Sequence, residues 1–131
     1  MGRIAGATGA QTRQRLLRAA ADVFARRGYD GTRVADIAAE AGLSNSALYA
    51  YFTSKAELLV GALRTHGRRP LEDMVAADPQ GSIVDMFLRT GAGLRERPDP
   101  ERYLVIEALI AARRDPEAAE SMTGYVRERA D

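Results

Sequence analysis

Two short apolar repeats joined by Gly42-Leu43-Ser44 constrain this chain more than any other feature. Before the join, Val34, Ile37, Ala38 and Ala41 recur at the spacing of one helix face. Thr32 offers an N-cap oxygen for that helix, which the pattern places from about Arg33 to Ala41. Gly42 stops it, and Leu43 is the apolar residue of the turn. Ser44 caps a third helix, from Asn45 to about Phe52. Two short helices joined by three residues, glycine first, are the sequence form of a helix-turn-helix.

The flanking segments are also helical in pattern. Residues 1–10 are rich in glycine and alanine without a periodic apolar face and read as a flexible arm. A first helix follows from about Gln11 to Arg27, with Leu16, Leu17, Ala20, Ala21, Val23 and Phe24 on one stripe and Gly28 beyond its end. Ser54-Lys55-Ala56-Glu57 is a capping box opening a fourth helix, whose buried face holds Leu58, Leu59, Ala62 and Leu63. Gly67 and Pro70 predict a kink or break in that helix, which makes them a candidate hinge. Ser82 caps a fifth helix, Ile83 to about Arg97. Asp99-Pro100-Glu101 and Asp115-Pro116-Glu117 are matching start signals for a sixth and a seventh: Asp at N-cap, Pro at N1, and Glu where the helix dipole favours it. No stretch alternates with period two for long enough to make a convincing strand. The fold class is therefore all-α.

Composition narrows the chemistry. At 131 residues, 46% hydrophobic and 28% charged, the chain fits one soluble domain, or one small domain with part of another. No cysteine excludes disulfides, thiol nucleophiles and thiolate zinc sites, and the lone His66 excludes a multi-histidine metal cluster. The longest apolar run, Ala108 to Ala112, is far short of the ~20 residues of a membrane span, and Met1 to Ala10 lack the apolar core of a secretory signal. No constellation suggests catalysis, and no cofactor is expected; the expected location is the cytoplasm. The net charge of +1 hides a split. Residues 1–55 carry eight cations against four acids, whereas residues 56–131 carry eleven against fourteen. A basic first part suits a polyanion partner.

The third helix carries the chemistry. On a 100° wheel, Leu48, Phe52, Asn45 and Tyr51 fall toward the core, Ser46 and Ala50 point away, and Ala47 and Tyr49 lie on the flanks. Eight helical residues would be ~12 Å long and would enter a major groove ~12 Å wide. Small outward side chains allow close approach to the bases, and Ser44, Ser46, Tyr49, Tyr51 and Thr53 supply hydroxyls for phosphates. Lys55, in the first turn of the next helix, opposes the helix dipole, a cost that a bound phosphate would offset.

These residues resemble the TetR-type transcriptional regulators. Thr32-x-Val34-x-Asp36-Ile37-Ala38-x-x-Ala41-Gly42-Leu43-Ser44 resembles that family's second helix and turn. Leu48-Tyr49-x-Tyr51-Phe52-x-Ser54-Lys55-x-x-Leu58 resembles its recognition helix and the start of its fourth helix, and Phe24-Ala25-x-x-Gly28-Tyr29 resembles the end of its first. The resemblance covers about residues 11–63. It implies DNA contacts from a set comprising Thr32, Arg33, Ser44, Asn45, Ser46, Ala47, Tyr49, Tyr51 and Lys55. It also implies a palindromic operator in double-stranded DNA, a small-molecule inducer and a homodimer. Candidate inducer contacts are His66, Met86, Phe87, Tyr103, Ile106 and Met122. The expected domains are the arm (1–10), a three-helix head (11–54) and a helical regulatory body (55–131).

Two features depart from the family pattern. Arg33 stands where Ser or Thr is common, which leaves the cap to Thr32. The family usually has nine helices, and seven are legible here, so a body truncated at its C-terminus is expected. The function implied is a ligand-responsive regulator, a repressor released by its inducer. The alternative is a helical protein-interaction module without DNA binding, which a salt-dependent DNA retention assay separates from the first.

Overall fold

The computed structural model describes residues 8–77, 80, 85, 88–89, 92 and 99–130. Helix α1 spans Gly9–Arg27, two residues earlier than its apolar stripe suggests. The reason is Thr8: its hydroxyl accepts the Gln11 N–H at 3.1 Å, and the Gln11 side chain accepts the Thr8 N–H at 2.8 Å. Gly9 and Ala10, expected in the arm, already lie in the helix.

Helix α2 (Val34–Ala41) buries Ile37, Ala38 and Ala41 against α1. It ends at Gly42, whose φ of 73° is cheap only for glycine, and the Leu43 N–H returns to the Ala38 carbonyl at 2.9 Å. The last carbonyl, Ala41, takes a 2.6 Å hydrogen bond from the Arg15 guanidinium of α1. Helix α3 (Asn45–Tyr49) starts at Ser44, whose hydroxyl accepts the Ala47 N–H at 3.1 Å. It is five residues long rather than the expected eight, because the chain leaves it through a turn to seat Phe52 in the core. The Arg13 guanidinium covers the Phe52 ring, 4.6 Å from its centroid.

Helix α4 (Lys55–Ala62) is capped by the Ser54 hydroxyl on the Glu57 N–H at 3.1 Å. The reciprocal half of the expected box is displaced: Glu57 accepts from the N–H of Thr53, not of Ser54. The chain then passes through a π-helical turn (Leu63–Gly67) into α5 (Arg68–Ala77) without a break. Of the kink or break expected at Gly67 and Pro70, the break is thus corrected to a widened turn. Proline at position 70 removes one intrahelical bond, and a π turn just before it changes the local pairing without ending the helix.

Of the fifth helix expected over Ile83 to about Arg97, only positions 85, 88, 89 and 92 are among the described residues, and all four are helical. Helices α6 (Pro100–Arg114) and α7 (Pro116–Ala130) begin where the Asp-Pro-Glu signals place them. Asp99 accepts the Glu101 N–H and Asp115 the Glu117 N–H, each at 3.0 Å.

One core ties the head to the body. Leu16, Val23 and Phe24 of α1, Leu58, Leu59 and Leu63 of the α4 segment, and Leu104, Val105 and Ala108 of α6 belong to the same buried cluster. Ala118, Met122 and Tyr125 close it from α7. Helix α1 therefore serves both as the base of the helix-turn-helix and as a wall of the body. Among the described residues no helix is long and apolar enough to cross a membrane.

Candidate nucleic-acid interface

The outward surface of α3 is small and uncharged. Ser44, Asn45, Ser46 and Ala50 are exposed, Ala47 is half-buried, and Leu48 is fully buried behind them. Asn45 corrects the wheel, which turned it toward the core. At the first position of a five-residue helix there is no preceding turn to cover it, and it stands in solvent. Its amide is of the kind that pairs bidentately with adenine in a major groove. Tyr49 is 52% exposed at the far end of α3. Tyr51 is half-buried and lies by the start of α1, where a Cβ on Gly9 would come within 3.8 Å of the Tyr51 hydroxyl.

Thr32 departs from both of its expected roles. It is 1% exposed, and its hydroxyl donates to the Gly28 carbonyl at 2.7 Å. It neither caps α2 nor reaches solvent. Arg33 occupies the N-cap position instead, and its side chain has no acceptor to offer. Asp36 compensates: one carboxylate oxygen accepts the Arg33 N–H at 3.0 Å, and the other accepts from the Arg33 guanidinium at 3.2 Å. Arg27 lies 3.3 Å from the same carboxylate. The Arg33 N–H, then its guanidinium, hold the Asp36 carboxyl below its ordinary pKa. Two arginines on one acid leave a net positive edge beside the entry of α2.

Lys55 is turned inward rather than outward. Its ammonium donates to the carbonyls of Tyr29, at 2.9 Å, and Thr32, at 3.1 Å, and sits 4.3 Å from the Tyr29 ring centroid. Three carbonyl and ring partners offset the helix-dipole cost that sequence reasoning assigned to a phosphate. Tyr29 is itself held from the other side. Its hydroxyl donates to Asp115 at 2.7 Å, and its N–H to Glu107 at 3.2 Å. Burial, then the bond to Asp115, pushes the Tyr29 hydroxyl above its ordinary range, and the same bond holds the Asp115 carboxyl below its own. Sequence reasoning missed Arg15, Glu107 and Asp115 as partners of this region, because these contacts join residues 26, 78 and 86 positions apart.

Among the described residues, the candidate inducer residues do not line a common cleft. His66 lies in the π turn and opens on a cleft of about 250 Å³ with Arg18, Asp22, Asp99 and Glu101; its Nε2 is buried and has no hydrogen-bond partner among the described residues. Tyr103, 38% exposed, lines a second cleft of about 470 Å³ with Asp22, Arg26 and Glu40. Ile106 is half-buried, and Met122 is a core residue beside Tyr125. Met86 and Phe87 lie outside the described residues.

The fold and this surface define a helix-turn-helix head on a helical body. Residues 16–62 match the family model described as bacterial regulatory proteins, tetR family. The chain is 43% identical over 87 residues to the HTH-type transcriptional activator FasR of Mycolicibacterium smegmatis, an alignment covering 66% of this chain and 35% of that protein. It is 34% identical over 85 residues to the HTH-type transcriptional regulator TtgR of Pseudomonas putida, covering 60% and 40% of the two. Among solved structures it resembles the multidrug binding protein EbrR complexed with imidazole, with a TM-score of 0.54 and 31% identity over 86% of this chain and 67% of that one. It also resembles a transcriptional regulator from Saccharomonospora viridis in complex with choline, with a TM-score of 0.59 and 26% identity over 90% and 64%. Residues 16–62 thus form a helix-turn-helix head of the tetR-family type, and the chain is similar to TetR-type transcriptional regulators. It spans about a quarter to a little over half of the length of the curated relatives it matches.

Proposed function

We propose that this chain carries the operator-binding head and part of the regulatory body of a ligand-responsive transcription factor. In this reading it is a repressor that leaves a palindromic operator when a small-molecule inducer binds. The observation that carries it is the outward face of α3: exposed Asn45, Ser46 and Ala50 with no charged side chain among them, between the Ser44 cap and the exposed Tyr49. Such a face approaches base edges closely, with Asn45 reading adenine and Ala47 and Ala50 meeting thymine methyls. Arg33, Ser44, Tyr49 and Tyr51 serve the phosphates from the flanks. The head comprises residues 11–54, and residues 55–131 contribute the body.

A monomeric head binds weakly. Two heads on one two-fold body raise affinity through effective concentration, so the intact regulator works as a homodimer on double-stranded DNA in the cytoplasm. The names of FasR and TtgR support regulation rather than catalysis, and the imidazole and choline complexes of two structural neighbours support a small-molecule effector. The test is selection of binding sites from random duplex DNA, followed by affinity against salt. Enrichment of a two-fold site whose affinity falls steeply with salt is expected. Salt-insensitive or absent retention would favour a protein-interaction module instead.

A further inference from the structure

The Lys55 ammonium has three N–H groups, and two of them end on backbone carbonyls of the loop between α1 and α2. Lys55 is the first residue of α4, three positions after Phe52, which anchors the exit of α3 in the core. The recognition helix is thereby suspended between two fixed points: the Gly42 turn, held by Arg15, and the Lys55 end, held by Tyr29 and Thr32. Tyr29 in turn is not free to move with the head. Its hydroxyl is bonded to Asp115 at the corner between α6 and α7, its N–H to Glu107 of α6, and its neighbour Asp30 pairs with Arg114 at 3.0 Å. Its ring is 4% exposed and stacks on Phe24 at 5.7 Å between centroids.

We propose that Tyr29 and Asp115 are positioning residues for the recognition helix: through Lys55, a body residue at the α6–α7 corner sets where α3 stands. Lys55 acts in this chain as the link, not as a phosphate ligand. Asp115 also caps α7, so the corner cannot shift without acting on the Tyr29 hydroxyl. A displacement of α6 and α7 reaches α3 along one path of hydrogen bonds, Asp115 to Tyr29 to Lys55, and this path is independent of the π turn. The assignment rests on the proposed DNA-binding role only for its affinity readout.

The experiment uses the full chain and four variants. Tyr29→Phe removes the hydroxyl and keeps the ring over Phe24 and under Lys55. Asp115→Ser keeps a capping oxygen for α7 but is too short to reach Tyr29. Lys55→Met removes the ammonium and keeps the apolar stem. The double variant joins Tyr29→Phe to Asp115→Ser. Amide exchange is followed along the chain, and binding to a duplex selected from random DNA is followed against salt. Tyr29→Phe and Asp115→Ser are each expected to speed exchange across residues 43–52, to which neither the Tyr29 hydroxyl nor the Asp115 carboxylate is hydrogen-bonded. Each is also expected to weaken binding about fivefold at unchanged salt slope, the scale of one lost hydrogen bond. The double variant should do no more than either alone, because both break the same link. Exchange changes confined to residues 28–32 and 112–118 would overturn the proposal. So would a Lys55→Met salt slope lower by about one unit, the signature of a lost phosphate contact. If the wild-type chain binds no DNA, the proposed function fails, and the exchange pattern alone still decides the positioning role.

Discussion

Glycine occupies two helical positions in this chain whose surroundings are opposite, and the same substitution at each should change stability in opposite directions. Gly67 is buried at the end of the π turn. A Cβ there would meet Leu63 Cδ1 at 2.5 Å and Val105 Cγ2 at 3.3 Å, and both neighbours are 1% exposed. Gly124 of α7 is exposed, and a Cβ there meets nothing within 4 Å. Replacing glycine by alanine in a helix gains ~0.8–1 kcal/mol, mostly by removing unfolded-state freedom. At Gly124 that gain stands alone. At Gly67 it opposes an overpacking cost of ~1–3 kcal/mol, since neither Leu63 nor Val105 has solvent to move into. Gly67→Ala should therefore lose about 1 kcal/mol net while Gly124→Ala gains about as much. With a urea m-value of ~1–3 kcal/mol per molar for a small domain, the two midpoints should separate by roughly 1 M. Equilibrium urea unfolding of the two variants and the wild type measures this directly. Stabilisation by Gly67→Ala equal to that of Gly124→Ala would refute the packing argument and restore a loose hinge at the π turn.

Asn45→Ala should relax adenine preference at one position of each half-site, at a cost of ~1–3 kcal/mol for the preferred base and little for the others, read by competition among single-base variants. Tyr49→Phe should weaken binding by a similar factor on all sequences and leave the salt slope unchanged, because a phenol carries no counterion-releasing charge. Arg15→Met should lower stability by about 1 kcal/mol, since one part-buried, charge-assisted bond to the end of α2 is lost while the apolar stem stays; denaturation midpoints check it. Asp36 and Asp115 have folded pKa values below their ordinary ones, so the stability they contribute is present above pH ~4 and is lost as pH falls through the folded values. Thermal midpoints should therefore drop below about pH 4, less steeply in Asp115→Ser; a midpoint that rises on acidification would contradict both assignments.

What the amino-acid order determined by itself is local. Gly42 after Ala41, Ser44 before Asn45, Ser54 three residues before Glu57, and the two Asp-Pro-Glu starts act within a single turn of chain. Capping and left-handed glycine need no distant partner, so these helix boundaries were legible before any packing was known. The apolar stripe of α1 was legible for the same reason, because period 3.6 is a property of the chain alone. The tertiary structure decided which polar groups are spent inside. Thr32 read as a helix cap and Lys55 as a phosphate ligand, yet the fold brings Gly28 and Tyr29 carbonyls to them and uses their donors there. Asn45 read as inward because a wheel treats a helix as endless, whereas α3 has barely more than one turn. Tyr29 read as the last residue of the motif that ends the first helix, and its partner Asp115 lies 86 positions away. Sequence neighbours compete for a hydrogen bond over a few ångströms of chain; only packing brings together donors and acceptors that far apart in sequence, and it is packing that fixes where the recognition helix stands.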